Sequence, residues 1–210
     1  MPRRPTRRRH VPDRAIARRA GRPRSAAADE AIRRAALILF IEHGTEGMSI
    51  EAVAARAGTG KASIYRRWRS KEDLLIDAVI EVFAAASKPN AGNVRDDLVE
   101  STRDLQALMS SSTTGAVFPR MAPEMARRTP LGRLYGHRVI GPRRAIFDEI
   151  LRRGIARREL PMAIDVELAV DHLVGTLLLR RLTGRLKQSD SRLAERVVDL
   201  LLAGLRSRDL

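Results

Sequence analysis

At residues 58–60 the chain reads Gly-Thr-Gly between two short apolar-periodic stretches, and no other feature restricts its fold as tightly. Before this turn, Ser49 is a good N-cap. Ile50, Val53 and Ala54 then recur at helical spacing, which predicts a helix over 50–57 that Gly58 ends. After it, Ile64 and Trp68 stand four apart, so a second helix is predicted over 61–68 with those two side chains packed inward. Two short helices joined by a tight glycine-containing turn are a helix-turn-helix, whose second helix enters a major groove. The same residues hold a Gly-Lys pair that a nucleotide-binding loop would also use. Such a loop needs a glycine five positions before the pair and a hydroxyl directly after it. Ala55 and Ala62 stand there instead, so the phosphates of a duplex are the expected partner.

The remaining faces of the second helix suit that partner. Lys61, Ala62, Ser63, Tyr65, Arg66 and Arg67 supply small surfaces, hydroxyls and cations. Small residues let the backbone approach bases, hydroxyls and phenols bind phosphate, and arginine can grip guanine with two hydrogen bonds. Arg67 is the expected base reader, with Tyr65 and Lys71 on phosphate. Ser70 opens a further helix, with Asp73 three residues on as a capping-box variant. Lys71 at its start can meet a phosphate together with the helix-end N–H groups. Upstream, Ser25 caps a first helix in which Ile32, Ala35, Ala36, Leu39 and Phe40 share one face until Gly44.

The run SIEAVAARAGTGKASIYRRWRSKEDLLIDAV, over 49–79, resembles the DNA-binding domain of the tetracycline-repressor (TetR) family. The resembling features are an Ala-Gly turn, a hydroxyl two residues before Tyr in the recognition helix, an aromatic three further on, and Ser-Lys-Glu opening the fourth helix. By position, the resemblance places Ser49, Lys61, Ala62, Ser63, Tyr65, Arg67 and Lys71 where the family contacts DNA. Gly60 departs from the Ser or Thr often found there, which removes a side-chain cap but leaves backbone N–H groups free.

Charge agrees with a polyanionic partner. The net charge is +15, and residues 1–24 hold ten arginines against the single acid Asp13, with four prolines and little apolar periodicity. Such an arm is expected to be disordered before it meets DNA. Its stretch around Gly21, Arg22, Pro23 and Arg24 resembles a minor-groove hook, in which arginines lie in a narrow A·T-rich groove; plain phosphate neutralisation is the other reading. Without cysteine, disulfides, thiolate zinc sites and a cysteine nucleophile are excluded. His10, His43, His137 and His172 show no metal-ligand spacing, no cofactor is implied, and neither a Ser-His-Asp nor a paired-carboxylate arrangement suggests an enzyme. With no apolar run of membrane-spanning length and no signal-peptide core, a cytoplasmic, nucleoid-associated protein is expected.

The rest of the chain carries helical periodicity and no strand-like alternation, so the expected fold is all-α with about nine helices. The expected division is a basic arm at 1–24, the helix-turn-helix domain at 25–70, a connecting helix at 71–86 and a helical effector-binding and dimerisation domain at 87–210. Within the last, a helix over 94–109 precedes a hydroxyl-rich loop and short turns bearing Met121 and Met125. Thr129 and Pro130 then open a long helix that Gly141 and Pro142 must kink. The last two helices, over 166–182 and 192–205, are apolar on more than one face, which predicts burial on both sides. Either they form an ordinary core, or one side meets a second copy. The resemblance implies a homodimer, with Val174, Leu178, Val197 and Leu201 as interface candidates. It also implies a small effector held between the middle helices. Leu105, Met109, Phe118, Met121, Met125, Leu134, His137, Phe147 and His172 are the candidate contacts, each of which could equally be a core residue. The expected function is that of a bacterial sequence-specific regulator, a repressor released from its operator by the effector; the alternative is an architectural DNA-binding protein without one.

Overall fold

A computed structural model of the chain describes residues 26–83 and 89–206. The arm, with Arg22 and Arg24, the Ser25 cap and the expected continuation of the fourth helix to Ala86 lie outside the described residues. Within them the fold is all helical, with ten α-helices of which two are fused through a π-turn into one rod.

The first helix, α1 (Ala26–Gly47), buries Ile32, Ala35, Ala36, Leu37, Leu39 and Phe40. Gly44 interrupts it at φ 71°, a left-handed conformation that glycine adopts without steric penalty. Next, α2 (Ile50–Arg56) is capped by Ser49, whose Oγ accepts the Ala52 N–H at 3.1 Å. The recognition helix α3 (Lys61–Tyr65) is shorter than the periodicity suggests, although the Trp68 N–H still reaches the Ile64 carbonyl at 3.0 Å. Ser70 caps α4 (Lys71–Phe83) by accepting the Asp73 N–H at 3.0 Å.

Asn93 caps α5 (Val94–Ser110), and α6 (Thr114–Ala126) replaces the expected loop and short turns. Two prolines, Pro119 and Pro123, lie inside it. Inside a helix Pro119 has no N–H for the carbonyl of Gly115. Arg181 takes that place, donating from Nε to the Gly115 oxygen at 2.9 Å. A tertiary contact therefore rescues a helix that local sequence argues against.

Thr129 caps α7 (Pro130–Tyr135), which runs through a π-turn (Gly136–Ile140) into α8 (Gly141–Ala156). The kink expected at Gly141 and Pro142 takes this form: the Gly141 N–H bonds the Gly136 carbonyl five residues back. The wider turn accommodates Pro142, which has no N–H to extend an α-helical ladder. Asp165 caps α9 (Val166–Leu182), and α10 (Leu193–Arg206) closes the described chain.

The buried residues form two cores whose boundary is not the one expected near residue 86. One joins α1–α4 to Val117, Met121, Leu131, Tyr135 and Val139 of α6, α7 and the π-turn. The other joins α5, α8, α9 and α10 through Leu98, Leu105, Phe147, Leu151, Leu173, Leu177 and Val198. The middle helices thus pack with the helix-turn-helix rather than only with the C-terminal layer. Where α6 meets α7, a Cβ on Gly132 would stand 2.1 Å from the backbone oxygen of Glu124. Because both sides of that contact are backbone, Gly132→Ala is expected to destabilise the fold by about 1–3 kcal/mol in urea unfolding. An unchanged midpoint would show that the two helices separate easily.

Candidate nucleic-acid interface

Two anchors orient α3. Ile64 and Trp68 are buried, and the Trp68 indole donates to Asp77 of α4 at 3.0 Å. Asp77 lies 3.7 Å from Arg33 of α1, so three helices converge behind the recognition helix. The outward side carries Lys61, Ala62, Tyr65 and Arg66, with Tyr65 57% exposed despite its large apolar ring. Arg69, not singled out in the sequence, also stands exposed in the turn before α4. Its signal was only a cation between a buried tryptophan and a helix cap.

The cations are restrained by neighbours. Lys61 donates to Glu51 at 2.9 Å, and that hydrogen bond holds the Glu51 carboxyl below its usual range and raises the ammonium. Arg66 donates to the Ser63 hydroxyl at 2.9 Å. Ser49 spends its hydroxyl on the cap of α2. Lys71, expected to point at phosphate, turns back to the Thr45 carbonyl at 3.1 Å and ties α4 to the last turn of α1.

Arg67 differs most from the sequence expectation. Its side chain is only 17% exposed, donates to the Ser63 carbonyl at 2.7 Å, and forms an ion pair with Asp29 at the start of α1. That close pair lacks hydrogen-bond alignment, so Arg67 Nε and Asp29 Oδ1 depend on each other's charge. In this arrangement Arg67 braces α3 against α1 and does not stand free toward a base edge.

The effector candidates scatter. A cavity of about 40 Å³ is lined by Leu105, Met109 and Phe118, together with Phe83, Tyr135, Val139, Ile140, Arg143, Arg144 and Val174. Met121 is wholly buried in the first core, with Met125 and Leu134 packed against that core, and Phe147 belongs to the second. His137 is exposed on the π-turn. His172 lines a groove between α9 and α10. Periodicity marked these residues as apolar or helical, but it cannot tell which of two cores a buried face joins. The arginines of the wall were missed because nothing local distinguishes Arg143 and Arg144 from the chain's many solvated arginines.

Of the interface candidates, Val197 and Leu201 point into the second core, whereas Val174 and Leu178 are half-buried. The outward apolar residues on these helices are Leu168, Leu179 and Leu182 of α9 and Leu200 of α10, each more than half exposed. Of these, Leu168 and Leu200 line a groove of about 550 Å³, together with Ala169, His172 and Leu205, among others. The double-sided apolarity of the sequence is real, but α10 turns its other side one residue away from the expected one.

A bundled helix-turn-helix with an exposed cationic and aromatic recognition face defines a DNA-binding protein. Residues 32–78 match the model of bacterial regulatory proteins of the tetR family, and residues 88–201 match the tetracyclin repressor-like C-terminal domain. The chain belongs to the TetR family of helix-turn-helix transcriptional regulators. An uncharacterized HTH-type transcriptional regulator of Mycobacterium tuberculosis is 32% identical over 172 residues, 80% of this chain and 83% of its own. The DNA-binding transcriptional repressor TetR of Mycobacteroides abscessus is 28% identical over 81% of this chain and 90% of its own. Among solved structures, the fatty acid degradation regulator FadR of Bacillus halodurans shares the fold, with a TM-score of 0.69 at 23% identity over 88% of this chain and 99% of its own. FadR of Bacillus subtilis, solved with stearoyl-CoA, has a TM-score of 0.67 at 21% identity over 83% and 97%. Among the described residues no helix is long and apolar enough to cross a membrane.

Proposed function

We propose that the protein is a homodimeric repressor that a small molecule releases from its operator. The observation that carries this is the recognition face of α3, which exposes Lys61, Ala62, Tyr65 and Arg66 while Ile64 and Trp68 anchor it from behind. The outward leucines of α9 and α10 supply a self-complementary surface for a second copy, which a two-fold operator requires. The cavity between the middle helices supplies the effector site. Because α6 and α7 share a core with α1–α4, a change in their packing reaches the recognition helix without a mobile joint. An effector that prefers a different α4 angle then shifts the two recognition helices off adjacent major grooves. The sequences of the M. abscessus repressor and of this chain align over most of both lengths, which supports the repressor reading.

Binding curves on duplexes selected from a random pool test the reading. Tyr65→Phe is expected to weaken all duplexes alike, as removal of a hydrogen bond to phosphate does, while Arg66→Ala relaxes preference at one position of each half-site by about 1–3 kcal/mol. Uniform affinity for every duplex, selected or not, would favour an architectural protein instead.

The basic arm gives a separate expectation. Removing residues 1–19 should make the salt dependence shallower by about 0.9 in slope for each phosphate that the arm no longer neutralises, with sequence preference retained. Replacing Arg22 and Arg24 by alanine should instead cost preference for A·T-rich flanks. An equal loss on A·T-rich and G·C-rich flanks would leave the arm a diffuse cation.

A further inference from the structure

The cavity wall holds two polar groups for which the protein supplies little. Tyr135 is 0% exposed, yet its hydroxyl has no hydrogen-bond partner among the described protein groups. Burial pushes its pKa well above the ordinary value, so it is a neutral donor at any physiological pH. An unpaired buried hydroxyl is costly, which makes it a standing invitation to an acceptor.

Arg143 is half-buried in the same wall. Burial pulls its pKa below the usual arginine value, with the field of Asp104 opposing that effect. Its Nη2 donates to the Phe83 carbonyl at 2.8 Å. A guanidinium has five N–H donors in a fork that matches an acid group. Tyr135 and Arg143 line the same cavity. Neighbouring Arg144, by contrast, is already paired with Asp171.

An outer recess of about 160 Å³, lined by Ile80, Phe83, Arg138, Val139, Pro142, Arg143 and Ile146, adjoins the cavity. Phe83, Val139 and Arg143 belong to both walls, so they are the partition between the recess and the interior. The π-turn supplies Val139 at this point, and such turns recur at functional sites. The inner space of about 40 Å³ is far below an ordinary ligand site, so a ligand must open the partition to enter.

We propose that the effector is an amphipathic anion, an apolar body with one terminal carboxylate or phosphate, whose acid group is held by Arg143 and Tyr135. This rests on the cavity being the effector site. The apolar body lies among Leu105, Met109, Phe118 and Val174. The Phe83 carbonyl that Arg143 holds belongs to the last described turn of α4. An acid that captures Arg143 competes for the donor that ties α8 to α4 at this carbonyl and loosens that contact. Through the bond between Asp77 and Trp68, α4 carries the recognition helix. Release of DNA and capture of the anion are thus one exchange of hydrogen bonds.

The test uses the full-length chain with decanoate and decyl phosphate as the two acids, and decanol and decyltrimethylammonium as neutral and cationic controls. Calorimetric binding and release of a selected duplex are measured for wild type, Arg143→Met, Arg143→Lys, Tyr135→Phe and Arg152→Met. Both acids are expected to bind and release DNA. Arg143→Met should weaken them roughly ten- to hundredfold while leaving decanol within a few-fold, and Tyr135→Phe should weaken them by less. Arg143→Lys keeps the charge and should retain much of the preference for acids, so the proposal stays testable if the methionine variant folds poorly. Arg152→Met, at an exposed arginine of α8 paired with Asp148 outside the cavity wall, should change little. Equal binding of decanol and decanoate, or an Arg143→Met variant with undiminished acid affinity, would overturn the anion assignment while leaving the effector site in place. No binding by any of the four probes would overturn both, and duplex binding without ligand would still stand or fall separately.

Discussion

Leu200→Glu and Leu168→Glu are expected to leave a folded protein that is monomeric in solution and binds its operator roughly a hundredfold or more weakly. Both side chains stand outward, Leu200 67% and Leu168 60% exposed, so a carboxylate there meets water in the free monomer. Surface changes of this kind usually alter stability by less than about 0.5 kcal/mol. In a two-fold interface each substitution occurs twice, near its own copy, and brings like charges into an apolar contact. A monomer then holds one half-site without the partner's tethered contacts, and linked binding commonly multiplies affinity by about 10²–10⁴. Leu201→Glu separates the faces: at 8% exposure in the second core, it buries a charge and should unfold the chain. Sedimentation and urea unfolding distinguish the outcomes. A dimeric Leu200→Glu variant with full affinity would move the interface elsewhere.

The second large effect is expected at Arg67. Its ion pair with Asp29 and bond to the Ser63 carbonyl fix α3 against α1. Removing one partner of a fully buried pair costs about 3–5 kcal/mol; here both side chains retain some solvent, and about 1–2 kcal/mol is expected for Arg67→Ala. The recognition helix loses its brace, so affinity should fall about tenfold for every duplex with the ranking of sequences unchanged. Asp29→Ala should have a similar effect, and the double variant should lose less than the sum of the two. If Arg67→Ala kept full stability and changed preference at a single base pair, Arg67 would be the base reader that its position in the family suggests.

The helix-turn-helix was legible because its signals are local: a cap at Ser49, a glycine turn, and Ile64 with Trp68 on one face. The failures have a common physical origin in interactions between residues distant in sequence. Arg181 satisfies the carbonyl that Pro119 leaves open, so α6 runs as one helix where short turns were expected. Position alone points Arg67 and Lys71 at DNA, yet Asp29 and the Thr45 carbonyl hold them. In α10, Leu200 and Leu201 are adjacent and chemically identical; only packing against α5 and α9 decides which one is outward. The effector wall was half legible, since Leu105, Met109 and Phe118 could be seen as apolar, whereas Arg143 gains its meaning only from burial.

Two copies of α3 are expected to read adjacent major grooves of a specific site. Hydroxyl-radical footprinting of the full-length protein on a duplex isolated by repeated selection tests it most directly. The account predicts two protected patches on one face of the duplex, about one helical turn or roughly 34 Å apart, related by two-fold symmetry. Tyr65→Ala should erase both together. Continuous protection that ignores sequence, or a footprint unchanged by Tyr65→Ala, would contradict it.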